Sequence, residues 1–159
     1  MITWPSWLRR ANPALSEAGP ADAAVLAALH AASFHRGWSE DEFARLLRER
    51  NVVAHRVMLG RRLAGFAISR LAADEAEILS IAVATAQRGR GLARDLLALH
   101  LRRLAGLGAR TVFLEVDEAN APARRLYARA GFREVGRRAN YYRVGAAASA
   151  ALVLRRDLQ

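Results

Sequence analysis

Three absences narrow what this chain can be. It has no cysteine, which excludes disulfide bonds and a thiol nucleophile. It has no apolar run near the roughly 20 residues that cross a bilayer. Its first residues have neither the hydrophobic stretch nor the small-residue cleavage site of a secretory signal. With 159 residues, of which 53% are hydrophobic, we expect one cytoplasmic domain with a substantial core and no membrane contact.

Lysine is also absent. The 25 basic residues are all arginines, and the formal net charge is +10. The arginines are scattered in ones and twos, which is typical of a solvated surface, and the lack of lysine indicates a coding bias more than a binding requirement. The remaining possibility is an acidic partner, such as the phosphates of a cofactor or RNA. The net charge alone therefore does not distinguish a solvated surface from a binding site for an acidic partner.

Hydrophobic periodicity and turn residues predict helices and strands in the order ααβββαβαββ, a mixed α/β domain. In the first helix we expect Val25, Leu26 and Leu29 on one side. A Ser-x-x-Glu capping box at 39–42 begins the second. The predicted helices are 20–34, 39–49, one from the glycines near 91 to 106–108, and 120–131; the predicted strands are 52–59, 63–71, 75–84, 111–116, 132–144 and 150–158.

A glycine-rich stretch, RGRGLA at 88–93, joins the third strand to the third helix. Free backbone N–H groups at a helix N-terminus suit a phosphate, and glycines let the backbone approach a ligand closely. Two known phosphate loops are excluded. Arg94 stands where a dinucleotide fingerprint needs its third glycine, and a P-loop needs lysine. The stretch is either a pyrophosphate loop of another kind or a structural turn.

In the order and spacing of its motifs, the chain resembles the GNAT acetyltransferases. RGRGLA fits their acetyl-CoA loop, [Q/R]-x-x-G-x-[G/A]; EAEILSIAV precedes it, and TVFLEVDEANAPARRLYARAGF and RRANYY follow. Together with GWSEDEFARLL, this succession over residues 20–142 is similar to the RimI-type branch, bacterial enzymes that acetylate the N-terminal alanine of a small-subunit ribosomal protein. The resemblance implies a GNAT-like α/β domain at 20–159, with a mixed, mostly antiparallel sheet flanked by helices. Residues 1–19 would be an extension packing on the body.

The resemblance also implies how acetyl-CoA binds before it leaves as coenzyme A. The backbone of Ile81, Ala82 and Val83 would pair with the pantetheine arm, where an N–H could stabilise the oxyanion. Asn120 would hydrogen-bond the cofactor near its reacting end, although asparagine there also suits a helix N-cap. The pyrophosphate would lie against the loop residues Arg88, Gly89, Arg90, Gly91, Leu92, Ala93 and Arg94.

Two residues are candidates for proton transfer. Glu115 interrupts an apolar strand, so it is either paired with an arginine or, as the resemblance implies, the general base for the incoming ammonium. Tyr127 follows Asn120 by nearly two helical turns, so the two face similarly. It is either a core aromatic or, by the same resemblance, the general acid for the departing thiolate. Trp38, Tyr141 and Tyr142 line the acceptor groove or simply pack.

The four histidines lack ligand spacing, so we expect no metal. The resemblance implies that the partner is the N-terminus of a protein, a ribosomal protein in that branch. We expect the enzyme to be a monomer or weak dimer and not to bind nucleic acid directly.

One departure from the branch affects the acceptor side. The branch has an acidic residue before its last strand, in a stretch like EDALVM, whereas this chain has GAAASAALVL. Two alternatives are an acetyltransferase of a small-molecule amine and an inactive RNA- or ribosome-binding module. Intact Glu115, Asn120 and Tyr127 argue against the second.

Overall fold

Four helices and seven strands make up the part of the chain that the computed structural model describes, residues 11–144 and 147–159. Side chains are described for all of these residues except 140–144 and 147. The strands are β1 (Pro13–Glu17), β2 (Val52–Leu59), β3 (Arg62–Ala72), β4 (Glu75–Val83), β5 (Thr111–Asp117), β6 (Arg133–Val144) and β7 (Ala147–Asp157). The helices are α1 (Ala23–Ser33), α2 (Glu40–Arg48), α3 (Leu92–Gly106) and α4 (Ala121–Arg129).

The described strands form one seven-stranded sheet in the order β1-β2-β3-β4-β5-β7-β6. Every neighbouring pair is antiparallel except β4 and β5, which are parallel because α3 connects them. On one face, α1 and α2 bury a cluster around Leu26, Phe43 and Phe66. On the other, α3 and α4 cover clusters around Leu96 and Leu114, so both sheet faces are apolar at the centre.

The predicted order is confirmed from α1 onward, and the structure adds one strand. β1 lies inside the predicted extension and pairs with β2, from Pro13 opposite Leu59 to Glu17 opposite His55. Its side chains are mostly exposed, so the segment lacks the apolar alternation that marks a strand in the sequence. Proline is tolerated at the first position of a strand and on an edge strand, and Pro13 meets both conditions. The division at residue 19 stays a prediction.

The predicted face of α1 is wrong for Val25, which is 49% exposed. The buried stripe contains Ala23, Leu26 and His30, spaced three and four residues apart as a helix requires. Residues 25 and 26 are about 100° apart around the axis, so they do not share one face. This rotation brings His30, rather than Val25, against the sheet.

Candidate active site

The central feature of the site is an opening between β4 and β5. The two strands pair only from Glu75 opposite Thr111 to Ile78 opposite Leu114. Beyond that point β4 continues to Val83 and β5 to Asp117 without pairing to each other. At the same place β4 has a bulge, because Ser80 pairs with Ile68 and Ile78 with Ser69, which leaves Leu79 unpaired. Bulges bend a strand, so the β4 edge turns away from β5.

The free edge of β4 presents particular peptide groups to this opening. The Ala84 N–H donates to the Ala64 carbonyl at 2.8 Å, and the Ala82 carbonyl lies against Gly65 of β3. Because peptide groups alternate along a strand, those of Ile81 and Val83 point to the opposite edge, into the opening. Arg88 Nε donates to the Val83 carbonyl at 3.3 Å. Of the three residues predicted here, Ile81 and Val83 therefore face the opening and Ala82 pairs with β3.

The loop after β4 has the backbone that its glycines predict. A short 3-10 turn, Thr85–Gln87, follows the strand, and Gly89 and Gly91 have φ values of +79° and +76°. Gly91 is the N-cap of α3, and the first helical bond runs from the Asp95 N–H to the Gly91 carbonyl. Among the described residues, no N–H from 89 to 94 donates to a backbone oxygen. These donors and the helix dipole fit the pyrophosphate of coenzyme A.

Arginine side chains surround the same loop. Arg94 Nε contacts Asp95 Oδ1 at 3.1 Å, and its guanidinium lies against Gly91. Arg90 is exposed and has no ion-pair partner within the described residues. Sequence reasoning missed Gln87 and Ser80, whose side-chain oxygens Oε1 and Oγ are buried and have no partner in the described part of the chain. Ser80 lies next to the β4 bulge and Gln87 ends the turn after β4, and no sequence pattern marks either side chain as unpartnered.

Substituting Gly91 tests the loop. Alanine at φ +76° costs about 1–2 kcal/mol of backbone strain, so we expect Gly91→Ala to raise the KM for acetyl-CoA by roughly tenfold. Gly106→Ala is the matched control, because Gly106 ends the same helix at negative φ with open space around its Cα. Steady-state kinetics with varied acetyl-CoA measure both variants. Equal effects of the two substitutions would contradict a binding role for the loop.

Glu115 lies on the face of β5 that points away from α3 and α4. Its neighbours Leu114 and Val116 are buried on the opposite face. The Glu115 side chain is 26% exposed, and its Oε1 lies 3.1 Å from Nη2 of Arg138 on β6. The arginine pairing considered from the sequence is thus present. A half-buried carboxylate beside the opening also fits a general base.

Tyr127 approaches from the other face. It is buried on α4 in the cluster that contains Leu114 and Val116, and its ring meets Phe132 edge-to-face at 5.7 Å. It therefore belongs to the core, as one interpretation held, and it borders the same part of β5. Glu115 and Tyr127 flank the opening from opposite faces of the sheet. A base on one side and an acid on the other suit a transfer in which one group enters and another leaves.

Asn120 begins α4. Its Oδ1 accepts a hydrogen bond from the Ala123 N–H at 3.2 Å, so the predicted N-cap is confirmed. The side-chain Nδ2 makes no hydrogen bond to the described residues, which leaves the amide a donor for a ligand. The contact of Asn120 with the cofactor stays a prediction.

The predicted acceptor-groove residues lie in two places. Trp38, before α2, stacks on His30 at 4.6 Å, and its backbone N–H donates to His30 Nδ1 at 3.0 Å. It packs against the cluster under α1 and α2 and is half-buried. Burial lowers the pKa of His30, which keeps Nδ1 free to accept that bond. The backbone of Tyr141 and Tyr142 belongs to β6, but their side chains, like residues 145–146 of the departing stretch, lie outside the described part of the chain.

Two further observations concern the described residues as a whole. They contain no group of three or more histidine, cysteine, aspartate or glutamate side chains that could hold a metal ion. No helix among them is long and apolar enough to span a membrane.

Comparison with known proteins identifies this arrangement. The family model "Acetyltransferase (GNAT) family" matches residues 23–132, more than half of the chain. The [ribosomal protein bS18]-alanine N-acetyltransferase of Escherichia coli K12 is 39% identical over 105 residues, which are 66% of this chain and 70% of that protein. The crystal structure of the Escherichia coli ribosomal-protein-S18-alanine N-acetyltransferase superimposes with a TM-score of 0.85 at 28% identity, covering 91% of this chain and 92% of that one.

The fold recurs in a more distant solved structure. Arabidopsis thaliana NAA60 in complex with acetyl-CoA has a TM-score of 0.80 at 21% identity, covering 92% of this chain and 99% of that one. The fold class implied by the sequence, a single GNAT-like α/β domain, is confirmed. The chain belongs to the GNAT family of acetyltransferases, whose acetyl donor is acetyl-CoA.

Proposed function

We propose that this enzyme acetylates the N-terminal amine of a protein, with alanine first, and that its acceptor is a ribosomal protein. The observation that carries the acceptor class is the 39% identity to an enzyme named for the alanine of ribosomal protein bS18. The opening between β4 and β5 supports the chemistry, because it has a carboxylate on one face and a phenol on the other. A ribosomal acceptor would place the enzyme in the cytoplasm, where we propose that it acts as a monomer or weak dimer.

Backbone groups and side chains along the opening bind acetyl-CoA in this proposal. The loop 88–94 holds the pyrophosphate through its N–H groups and arginines, and the edge of β4 at Ile81 and Val83 aligns the pantetheine arm. Acetyl-CoA supplies an activated thioester. In this proposal the Ile81 N–H polarises the thioester carbonyl, and the Asn120 side-chain Nδ2 donates to the cofactor from the start of α4. These contacts fix the acetyl group at the opening.

Proton transfer completes the reaction. The acceptor arrives as an ammonium, and Glu115 takes its proton directly or through a water molecule. The free amine then attacks the thioester carbonyl to form the C–N bond, and the C–S bond breaks as Tyr127 protonates the departing thiolate. The second proton lost by the attacking nitrogen returns the Tyr127 phenolate to the phenol. No covalent enzyme intermediate is required, which agrees with a chain that has no cysteine. Basic residues at the opposite end of the sheet from the loop, such as Arg110 before β5, then serve as solvated surface and not as a nucleic-acid site.

A peptide panel tests the acceptor. We expect acetyl transfer from acetyl-CoA to a short peptide whose first residue is alanine, with weaker transfer to Ser-, Gly- or Met-first peptides. Mass spectrometry reads the added acetyl group and its position. The matched control is the same alanine peptide blocked at its N-terminus and carrying an internal lysine, which should stay unmodified.

Two outcomes would contradict this acceptor. Acetylation of the internal lysine in the blocked peptide would show that the α-amine is not what the enzyme selects. Acetylation of no peptide, with acetyl-CoA still bound, would move the function to a small-molecule amine. Salt-sensitive RNA affinity without acetyl-CoA binding would instead favour a module that keeps the fold without its chemistry.

A further inference from the structure

Arg138 occupies the position beside Glu115 that an acceptor amine has to reach. Its Nη2 lies 3.1 Å from Glu115 Oε1, and the two side chains are 58% and 26% exposed. The catalytic scheme above leaves this guanidinium without a role. The Arg138 guanidinium occupies Oε1 of Glu115, so an ammonium has to displace this cation before it can bind the same oxygen.

The sheet register explains how Arg138 reaches across a strand. Arg138 pairs with Ala151 of β7, and Ala151 pairs with Asp117 of β5, so these three side chains share the face that carries Glu115. Ala151 has only a methyl group, which leaves the guanidinium room to cross β7. Directly after Arg138 the register of β6 shifts, since Tyr142 is the next paired residue and lies opposite Ser149. The contact is therefore built by an irregular strand at the end of the opening.

We propose that Arg138 is a gate on Glu115, a specificity-determining residue that pairs with this carboxylate until an acceptor ammonium displaces it. The inference rests on the proposed role of Glu115 as general base. Displacement costs little, because a half-exposed ion pair contributes modestly and is screened by solvent. Once displaced, the guanidinium can turn to Asp117, which shares the register row of Ala151 and Arg138. The bonds that the Asp117 side chain accepts within the described residues, from Ser149 Oγ at 2.6 Å and the Ala119 N–H at 2.9 Å, both end on Oδ1, so Oδ2 is the oxygen that the guanidinium would contact.

The gate discriminates between a cation and water. An acceptor ammonium competes with the guanidinium for Glu115 because both carry a positive charge, whereas a neutral water molecule does not. With Arg138 in place, Glu115 is withheld from water, which would otherwise attack the thioester. That side reaction forms a C–O bond, breaks the C–S bond, passes the proton of water to Glu115 and yields acetate and coenzyme A. Arg138 thus protects acetyl-CoA until an amine arrives.

Arg138→Gln tests the gate through two readouts. Without an acceptor, release of coenzyme A from acetyl-CoA should rise about two- to fivefold, the factor expected for losing a half-exposed ion pair. With the alanine-first peptide, the KM for the peptide should fall by a similar factor while kcat stays close to that of the unmodified enzyme. A thiol reagent measures coenzyme A without background from the protein, because the chain has no cysteine.

Three further variants make the result specific. Arg137→Gln removes the same charge one residue away, on the opposite face, where Arg137 holds both oxygens of Glu118 at 2.5 and 2.8 Å; it should change neither readout. Arg138→Lys keeps a cation and should restore low release of coenzyme A. Glu115→Gln combined with Arg138→Gln should lose the extra release, because that release depends on the freed carboxylate.

The outcomes separate this inference from the proposed acceptor. Unchanged hydrolysis in Arg138→Gln would overturn the gate, and so would a higher peptide KM with lower kcat, which would make Arg138 an acceptor-binding residue. If no peptide is acetylated, the acceptor proposal fails alone, because the hydrolysis measurement needs no acceptor. Elevated release of coenzyme A in Arg138→Gln, absent in Arg137→Gln, would then still support the gate.

Discussion

Glu115→Gln lowers kcat by roughly 10²–10⁴-fold, the usual contribution of a positioned general base, and flattens the rise of the rate with pH. The amide has nearly the shape of the carboxylate but takes no proton from an ammonium. The KM for acetyl-CoA should hardly change, because the loop 88–94 and the β4 edge that hold the cofactor are built by other residues. Steady-state rates across a pH series, with the alanine-first peptide as acceptor, measure the effect.

The control for this substitution is Glu77→Gln. Glu77 pairs with Phe113 where β4 and β5 are still joined, so its side chain lies on the same sheet face as Glu115 but away from the opening. It is exposed, and its replacement removes the same charge. Equal losses of kcat in the two variants would show that the effect comes from the change in surface charge. An unchanged kcat in Glu115→Gln would remove Glu115 from the base role and leave only its ion pair with Arg138.

The features that the sequence predicts best are local ones. The capping box at Ser39 is present in the structure, with the Ser39 N–H donating to Glu42 at 2.6 Å, because its two partners are three residues apart. The phosphate loop is equally local, since Gly89 and Gly91 adopt the positive φ values that only glycine takes freely. Glu115 stands out because a charge inside an apolar strand needs an explanation in any fold.

Contacts between distant segments are what the sequence leaves open. Arg138 is one of 25 arginines, and its place beside Glu115 follows from the pairing of β6 with β7 and a register shift that no motif marks. β1 was missed because an edge strand with solvated side chains has no apolar signal. Trp38 could be named as an aromatic near the groove, but its stacking on His30 depends on how α1 is rotated.

A buried chain of polar groups under α3 is the clearest of these distant contacts. Ser69 Oγ lies 2.6 Å from His100 Nε2, and His100 Nδ1 lies 2.7 Å from His55 Nδ1. His100 is completely buried on α3, 45 residues from His55 on β2, so no sequence spacing reveals the pair. In this pair one Nδ1 must donate a hydrogen bond and the other must accept it. The bond therefore exists only while one of the two Nδ1 atoms is unprotonated.

These histidines should make the fold sensitive to mild acid. Burial, followed by the nearby His55, lowers the pKa of His100 from its ordinary 6.5 to about 3, and burial also lowers the pKa of His55. In the folded protein His100 stays neutral above about pH 3, whereas the unfolded chain binds a proton there below pH 6.5. Its contribution to stability is therefore complete above pH 6.5 and is lost progressively as the pH falls towards 3.

We expect the free energy of unfolding to fall by about 2 kcal/mol between pH 7 and about pH 5 through His100 alone, since each pH unit below its ordinary pKa costs about 1.4 kcal/mol. Urea unfolding at several pH values measures this. His100→Gln should be less stable at pH 7 but lose less on acidification, because glutamine does not titrate. His35→Gln, at an exposed histidine, should keep the pH dependence of the unmodified chain. If His100→Gln instead kept the full loss of stability between pH 7 and 5, the acid sensitivity would come from other groups, and the buried chain beneath α3 would tolerate a charge.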